Sequence, residues 1–297
     1  MTEVNLAQTS STLEILIAAE LAEPSDPRVV RMAGAIAAQY GAAARAVLFY
    51  GSCLRTAELE GQMLDFYLIV SDYRAAYGKS WLASANRMIP PNVFPFGYDG
   101  LAAKYAVLSE SDFSRLCRPE ASNVSVWARF AQPARLVWAA DDTARKAAIA
   151  AIAEAPATMA ALTPQATSND PLDLWRRGFA LTYGAELRAE RSDRSGSIVD
   201  FDPDHYRRLS AALSSAPPAK LADLDARWRR LRRNGKALTL IRLAKASLTF
   251  AGGIDYLAWK INRHAGTAIE VRPWQRRFPI LGALILLPRL LSRGAVR

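Results

Sequence analysis

Apolar residues recur at helical spacing near the start of the chain and form short uninterrupted runs further on. The helical spacing predicts helices over residues 12–22 and 28–40. The short runs predict β-strands over residues 46–50, 64–70, 103–108 and 133–139. Further helices are predicted over residues 79–88, where Pro90 and Pro91 follow, and over residues 142–154. This mixture predicts an α/β first domain.

The second half of the chain has a different pattern. Residues 155–171 are rich in Pro, Thr, Ser, Asn and Asp, which is typical of a domain boundary. The helical spacing then predicts helices over residues 172–191, over 205–214 and from 221 onward, with interruptions at Asn234-Gly235 and Gly252-Gly253. We therefore predict an α/β domain over residues 1–160, a mainly helical domain over 161–262 and a basic amphipathic tail over 263–297.

Composition adds an uneven charge to this picture. The 297 residues are 51% hydrophobic and carry a net charge of +10. From Ala226 onward there are 16 Lys and Arg residues and two acidic residues, a net charge of +14, so the preceding residues carry −4. This asymmetry predicts an anionic partner for the last quarter, either membrane lipid or nucleic acid.

Cysteine usage and apolar run lengths bear on the compartment. Cys53 and Cys117 are the two cysteines and form no CxxC motif, which fits a reducing compartment and excludes a zinc ribbon or disulfide framework. No basic leader begins the chain, and no apolar run reaches the roughly 18–20 residues needed to span a bilayer. We expect a cytoplasmic protein that contacts a membrane surface.

The candidate chemistry lies where the first strand ends. Gly51-Ser52 follows the strand and could present backbone N–H groups to phosphate oxygens, and Asp65 in the next strand could hold a divalent metal. In an Asp-x-Asp pattern a second carboxylate would face the same way, but Tyr67 stands there, so Asp72 is the alternative second ligand. The same residues are equally typical of a plain turn beside an exposed aspartate.

The basic last quarter holds two candidate features. Eight basic residues and no acids lie between Arg227 and Lys245, and arginines with Trp274 precede the apolar residues 278–287. That run is too short to span a bilayer and suits an interfacial anchor on anionic lipid. The alternative is a helix packed on the protein with a solvated basic face. Specific nucleic-acid binding is not expected, because no recognised binding motif accompanies the arginines.

Several short blocks recur in the order found in a known family. They are Phe49-Tyr50-Gly51-Ser52, Met63-Leu64-Asp65-Phe66, Val70-Ser71-Asp72, Lys104-Tyr105-Ala106-Val107-Leu108-Ser109, Ala128-Arg129-Phe130-Ala131-Gln132-Pro133 and Leu181-Thr182-Tyr183-Gly184-Ala185-Glu186-Leu187-Arg188. In these blocks the chain resembles the translocator assembly and maintenance family, the mitochondrial-type CDP-diacylglycerol synthases and their bacterial relatives. It departs from the family at Cys53, where relatives have glycine, and at Glu186, where they have aspartate.

The resemblance implies a polymerase-β-like nucleotidyltransferase domain, Mg²⁺ as cofactor and location at the inner face of the membrane. The implied reaction joins CTP and phosphatidic acid to give CDP-diacylglycerol and pyrophosphate. The implied site residues are Asp65, Lys104 and Arg188 for catalysis, Tyr50, Gly51, Ser52 and Glu186 for the nucleotide, and Asp65 and Asp72 for the metal.

The missing second carboxylate has a chemical interpretation. The phosphate of phosphatidic acid is already ionised at neutral pH and needs no general base. It needs charge neutralisation, and we assign this to Lys104 and Arg188. Two alternatives stay open, transfer to another lipid or isoprenoid phosphate and a catalytically silent lipid- or RNA-binding adaptor. Neither His205 nor His264 is expected to act in catalysis, and Cys53 has no base partner that would make it a nucleophile.

Overall fold

Five strands form one mixed sheet that carries helices on both faces. The structure, a computed structural model, describes residues 2–78, 80–164, 170–186, 194–213, 223–249 and 270–273. The strands are β1 (Ala44–Tyr50), β2 (Met63–Val70), β3 (Asn92–Tyr98), β4 (Leu101–Ser109) and β5 (Ala134–Ala139). Their order across the sheet is β3-β4-β2-β1-β5, with β2 and β4 parallel and the other neighbours antiparallel.

Twelve α-helices are described around this sheet. Those within the first 120 residues are α1 (Thr2–Leu21), α2 (Pro27–Ala38), α3 (Ser52–Thr56), α4 (Tyr73–Tyr77), α5 (Ser80–Met88) and α6 (Glu110–Cys117). The later ones are α7 (Trp127–Phe130), α8 (Asp142–Leu162), α9 (Pro171–Ala185), α10 (Arg194–Phe201), α11 (Pro203–Leu213) and α12 (Leu224–Thr249). None of these helices has the length and hydrophobicity that crossing a membrane requires.

Side chains of β2 alternate between two hydrophobic cores, as the pleat of a strand requires. Phe66 and Leu68 belong to the core beneath α2, α4 and α5. Tyr67 and Ile69 belong to the core on the opposite face, which is covered by α1, α6, α8, α9 and α11. Asp65 shares the parity of Tyr67 and therefore lies on this second face.

The second core joins both of the domains predicted from the sequence. It includes residues from α1 and β1 as well as residues from α9, α11 and α12. The boundary predicted at residue 160 falls within α8. The first 160 residues and the helices that follow them therefore pack around common apolar side chains. Of the predicted tail over 263–297, residues 270–273 alone are described, so its apolar segment lies outside the described residues.

The predicted α/β class is confirmed, together with the approximate bounds of four strands. Ser109 caps α6, since its Oγ accepts a hydrogen bond from the N–H of Asp112 at 3.2 Å. One strand was missed, because Pro95 and Gly97 in β3 disfavour a strand assignment by propensity. Pro95 is tolerated because β3 lies at the edge of the sheet.

Two predicted breaks in the helices are wrong. The first lies in the predicted boundary over residues 155–171, of which residues 155–162 continue α8 through the buried Pro156. The hydroxyl of Thr158 in this stretch donates to the carbonyl of Cys117 at 2.8 Å. The second is Asn234-Gly235, which lies inside the continuous α12. A Cβ added at Gly235 would lie 2.2 Å from the carbonyl oxygen of Ala185, so this glycine lets α12 approach the end of α9.

Candidate functional site

The turn after β1 requires glycine at position 51 for two reasons. Gly51 has a φ of +93° and a ψ of −160°, a backbone conformation that residues with a Cβ rarely adopt. A Cβ at this position would also lie 3.0 Å from Oδ2 of Asp65. The turn therefore packs directly onto the carboxylate, as the sequence interpretation required. Ser52 follows it as an exposed residue at the start of α3.

Strand register brings Lys104 to Asp65. Asp65 pairs with Tyr50 across β1 and with Lys104 across β4. The Nζ of Lys104 lies 3.0 Å from Oδ1 of Asp65, and the two side chains are 31% and 19% exposed. A lysine and a carboxylate, both partly open to solvent, thus lie beside the glycine turn, where a phosphate and a metal ion could reach them.

Tyr67 occupies the position where an Asp-x-Asp pattern would have its second carboxylate. Its ring is 3% exposed and lies 5.3 Å from the ring of Tyr50 and 5.2 Å from that of Phe130, measured between centroids. Burial raises the pKa of both Tyr50 and Tyr67, so both phenols stay neutral. An aromatic layer therefore takes the place of a second carboxylate.

Asp72 is not brought to Asp65. It lies beyond the far end of β2 and caps α4, where its Oδ1 accepts hydrogen bonds from the N–H groups of Arg74 at 2.7 Å and Ala75 at 3.1 Å. The five strand residues that follow Asp65 alone span roughly 16 Å at about 3.3 Å per residue. The two carboxylates are too far apart to share a metal ion, so the expectation that Asp72 completes the site needs correction.

Asp65 is the predicted metal ligand that remains at the turn. Within the described parts of the chain, no three His, Cys, Asp or Glu side chains cluster closely enough to hold a metal. Mg²⁺ is nevertheless often bound by one or two carboxylates together with substrate phosphates and water. One carboxylate beside a phosphate-accepting turn fits that mode of binding, whereas a site built from protein ligands alone does not fit these residues.

A cavity of about 160 Å³ opens beside the Asp65–Lys104 pair. Its floor is the sheet face that carries Tyr67, and its walls come from α7 and α12 and from the turn between α5 and β3. Four basic side chains line it: Lys104, Arg129, Arg242 and Lys245. The sequence interpretation named Lys104 for this region. It assigned the run that contains Arg242 and Lys245 to a membrane surface instead.

Backbone carbonyls hold the two basic residues of α12 in place. Arg242 donates to the carbonyl of Pro90 at 2.9 Å from Nε and to Oγ of Ser125 at 3.0 Å from Nη1. Lys245 donates to the carbonyls of Ile89 and Pro91, the latter at 2.8 Å. Burial lowers the pKa of both side chains, and the charge of Arg242 adds to the effect on Lys245, whose pKa falls to about 7.

Arg129 is the cavity arginine that lies near a carboxylate. Its Nη1 is 3.7 Å from Oε1 of Glu186, which is 9% exposed at the end of α9. Burial opposes the charge of Arg129, but the negative charges of the Glu186 and Asp65 carboxylates outweigh burial and raise its pKa. Glu186, predicted to bind the nucleotide, is therefore buried next to Arg129 and does not itself line the cavity. Arg188, predicted to be catalytic, is outside the described residues.

We expect Lys245 to make stability depend on pH. Its folded pKa of about 7 lies below its ordinary value of 10.5. Between these two values the unfolded chain binds a proton that the folded chain does not, so the free energy of unfolding rises with pH. The slope is at most about 1.4 kcal/mol per pH unit. Urea unfolding of the wild type and of Lys245→Met at pH 6.5, 8 and 9.5 isolates this contribution. Parallel pH profiles for the two proteins would contradict it.

The remaining polar candidates have structural contacts. Cys53 is buried beneath the turn, and burial raises the pKa of its thiol, which disfavours a nucleophilic thiolate. The N–H of His205 donates to Oδ1 of Asp202 at 3.0 Å near the start of α11, and its Nδ1 lies 3.0 Å from Oε2 of the buried Glu20. His264 lies outside the described residues.

Comparison with known proteins leaves the family of the chain open. No protein-family model and no curated protein matches it. Among solved structures, it is similar to the nucleotidyltransferase-like protein from Exiguobacterium sibiricum 255-15, over 90% of this chain and 92% of that one, at 12% identity and a TM-score of 0.29. A TM-score this low does not show a shared fold, so the functional argument depends on the site.

The structure adds three basic residues to those predicted. Arg129 lies in one of the sequence blocks that carry the resemblance, but the resemblance implies no role for it. Arg242 and Lys245 stand three positions apart on a helix, at the end of a basic run. The (i, i+3) spacing predicts that they share one face. No pattern in the sequence indicates that this face covers the sheet, since that contact joins residues about 150 positions apart.

Proposed function

We propose that this protein is a nucleotidyltransferase that transfers a cytidylyl group from CTP to phosphatidic acid, giving CDP-diacylglycerol and pyrophosphate. The observation that carries the proposal is the packing of the Gly51 turn onto Asp65, with Lys104 3.0 Å from the same carboxylate. A phosphate-accepting turn, a carboxylate and a lysine that lie side by side are the groups that nucleotidyl transfer needs.

Asp65 would hold Mg²⁺ together with the phosphates of the nucleotide. When bound, the ion neutralises phosphate charge and polarises the phosphorus that is attacked. The Gly51-Ser52 turn and Tyr50 would bind and orient the nucleotide. Lys104 lies close enough to Asp65 to stabilise the negative charge that builds up as the acceptor phosphate approaches.

Tyr67 supports an acceptor that is already ionised. A hydroxyl acceptor must lose its proton, and a second carboxylate near the nucleophile serves that step. Here the neutral, buried ring of Tyr67 faces the site instead. A phosphate monoester attacks without deprotonation, which matches an environment that is rich in cations and poor in bases. The ordered sequence blocks that resemble those of the CDP-diacylglycerol synthases favour phosphatidic acid among such acceptors.

The basic last quarter supports work at a membrane surface. Its excess of positive charge would hold the enzyme on anionic lipid, where the acceptor resides, with each basic residue near the surface adding about 1 kcal/mol. The proposed location is therefore the inner face of the membrane, in peripheral contact.

A transfer assay on liposomes tests the proposal. We expect labelled CTP, Mg²⁺ and liposomes that contain phosphatidic acid to give CDP-diacylglycerol, and liposomes of phosphatidylglycerol to give no product. Transfer only to an isoprenoid phosphate added in place of phosphatidic acid would identify another acceptor and overturn the specific assignment. Liposome binding without transfer to any of these acceptors would indicate a silent adaptor.

A further inference from the structure

The cavity beside Asp65 contains more positive charge than its carboxylates balance. Four cations line it, and the carboxylates within reach of them in the described chain are Asp65, paired with Lys104, and Glu186, near Arg129. Two positive charges are therefore in excess when Lys245 is protonated. Buried charge is costly unless it is compensated, so this arrangement indicates a bound anion.

Arg242 and Lys245 are positioned by neutral groups. The carbonyls of Ile89, Pro90 and Pro91 and the hydroxyl of Ser125 accept their hydrogen bonds. These acceptors orient the side chains but contribute no negative charge. A guanidinium and an ammonium so held need little reordering when an anion arrives, and such preorganisation favours binding.

The size of the cavity and its surroundings limit the kind of anion. About 160 Å³ is well below the roughly 300–1,000 Å³ of pockets for drug-sized ligands, so the space suits a phosphate group rather than a nucleoside. Large apolar side chains are exposed on the elements that frame it. Met88, at the end of α5, is 76% exposed, and Ile241, next to Arg242 on α12, is 45% exposed. Such neighbours suit a phosphate that carries an apolar chain.

We propose that Arg129, Arg242 and Lys245 form a binding site for the phosphate monoester group of the acceptor, separate from the Gly51 turn that takes the nucleotide. This inference rests on the proposed function in naming the acceptor as the source of the phosphate. The site places the dianionic phosphate of the acceptor next to the Asp65–Lys104 pair. An oxygen of this phosphate can then attack the phosphorus of a nucleotide bound at the Gly51 turn. The apolar chain leaves between α5 and α12.

Calorimetric binding without nucleotide and without Mg²⁺ tests the site apart from the reaction. The probes are dihexanoyl phosphatidic acid, glycerol 3-phosphate, inorganic phosphate and CTP. We expect dihexanoyl phosphatidic acid to bind most tightly of the four probes. Lys245→Met removes a charge and Arg242→Lys removes a forked donor, so we expect each variant to weaken this binding by about 10-fold. Arg74→Gln removes an exposed arginine on α4 and serves as the control, with unchanged affinity expected.

The results separate the possible sources of the phosphate. Unchanged affinity in both cavity variants overturns the site, as does the absence of phosphate binding to the wild type. Tighter binding of CTP than of any phosphate monoester, weakened by the same variants, makes the cavity part of the nucleotide site and overturns the acceptor assignment. Equal affinities for glycerol 3-phosphate and dihexanoyl phosphatidic acid would contradict the proposal that an apolar chain leaves between α5 and α12. A further outcome is a protein that binds phosphatidic acid through Lys245 but shows no transfer activity. This outcome supports the binding site and refutes only the proposed function.

Discussion

Asp65→Asn is expected to reduce cytidylyl transfer by about 10²–10³-fold, the range seen when one electrostatic contact to a transition state is lost. Asparagine keeps the shape of the side chain but removes the charge that would hold Mg²⁺ and that pairs with Lys104 at 3.0 Å. Asp65 is partly exposed and lies at the rim of the core, so the loss of stability should be small. Initial rates in the liposome assay measure the effect, and thermal unfolding shows that the variant is folded.

Asp72→Asn is the matched control for this substitution. It makes the same chemical change at the other end of β2, where the side chain caps α4. Asparagine caps helices about as well as aspartate, so both activity and stability should stay near the wild-type values. An equal loss of activity in the two variants would restore Asp72 to the metal site. Near-normal activity of Asp65→Asn would remove the basis for metal binding at the turn.

Gly235→Ala is expected to lower the free energy of unfolding by about 3 kcal/mol or more, above most overpacking substitutions. The added Cβ would lie 2.2 Å from the backbone carbonyl oxygen of Ala185. Because the clash is with backbone, no side-chain rotation relieves it, and α12 must move away from α9. Arg242 and Lys245 lie on the same helix, so phosphate binding should weaken as well. Chemical denaturation and the calorimetric assay report these two effects.

Gly184→Ala on α9 is the control for the Gly235 substitution. A Cβ at Gly184 meets nothing within 4 Å. Alanine is also favoured over glycine within helices by up to about 1 kcal/mol, so this variant should be as stable as the wild type or slightly more so. If Gly235→Ala unfolds at the same denaturant concentration as Gly184→Ala, the close approach of α12 to α9 would be disproved.

The sequence predicts the centre of the candidate site better than its walls. Gly51 and Asp65 could be proposed from the local pattern of a strand and a turn, whereas Lys104 was proposed from the resemblance to a family. Strand register brings the three together. The path of α12 could not be predicted, since an Asn-Gly pair such as Asn234-Gly235 is typical of a turn. At Gly235 the glycine permits close packing instead, and that contact exists only after folding.

The difference between local sequence patterns and contacts made only on folding also explains why β3 was missed and why Asp72 was placed at the wrong site. β3 contains Pro95 and Gly97, and its edge position, which makes them acceptable, is a property of the whole sheet. Asp72 was grouped with Asp65 because the two are close in sequence. An extended strand converts a short separation in sequence into a long separation in space, so nearness along the chain misleads in β structure.

The ring of Tyr67 has an evolutionary consequence. A polymerase-like second carboxylate would arise from one substitution, Tyr67→Asp, which would place a charge among Tyr50, Phe130 and the residues packed beneath them. It would also remove a large buried side chain, a change that costs about 3–5 kcal/mol for comparable aromatic residues. A variant with Asp at position 67 would therefore be less stable than the wild type, which disfavours the evolution of a site for hydroxyl acceptors. Under the proposed function, relatives of this protein are expected to use ionised acceptors and to keep an aromatic residue at position 67.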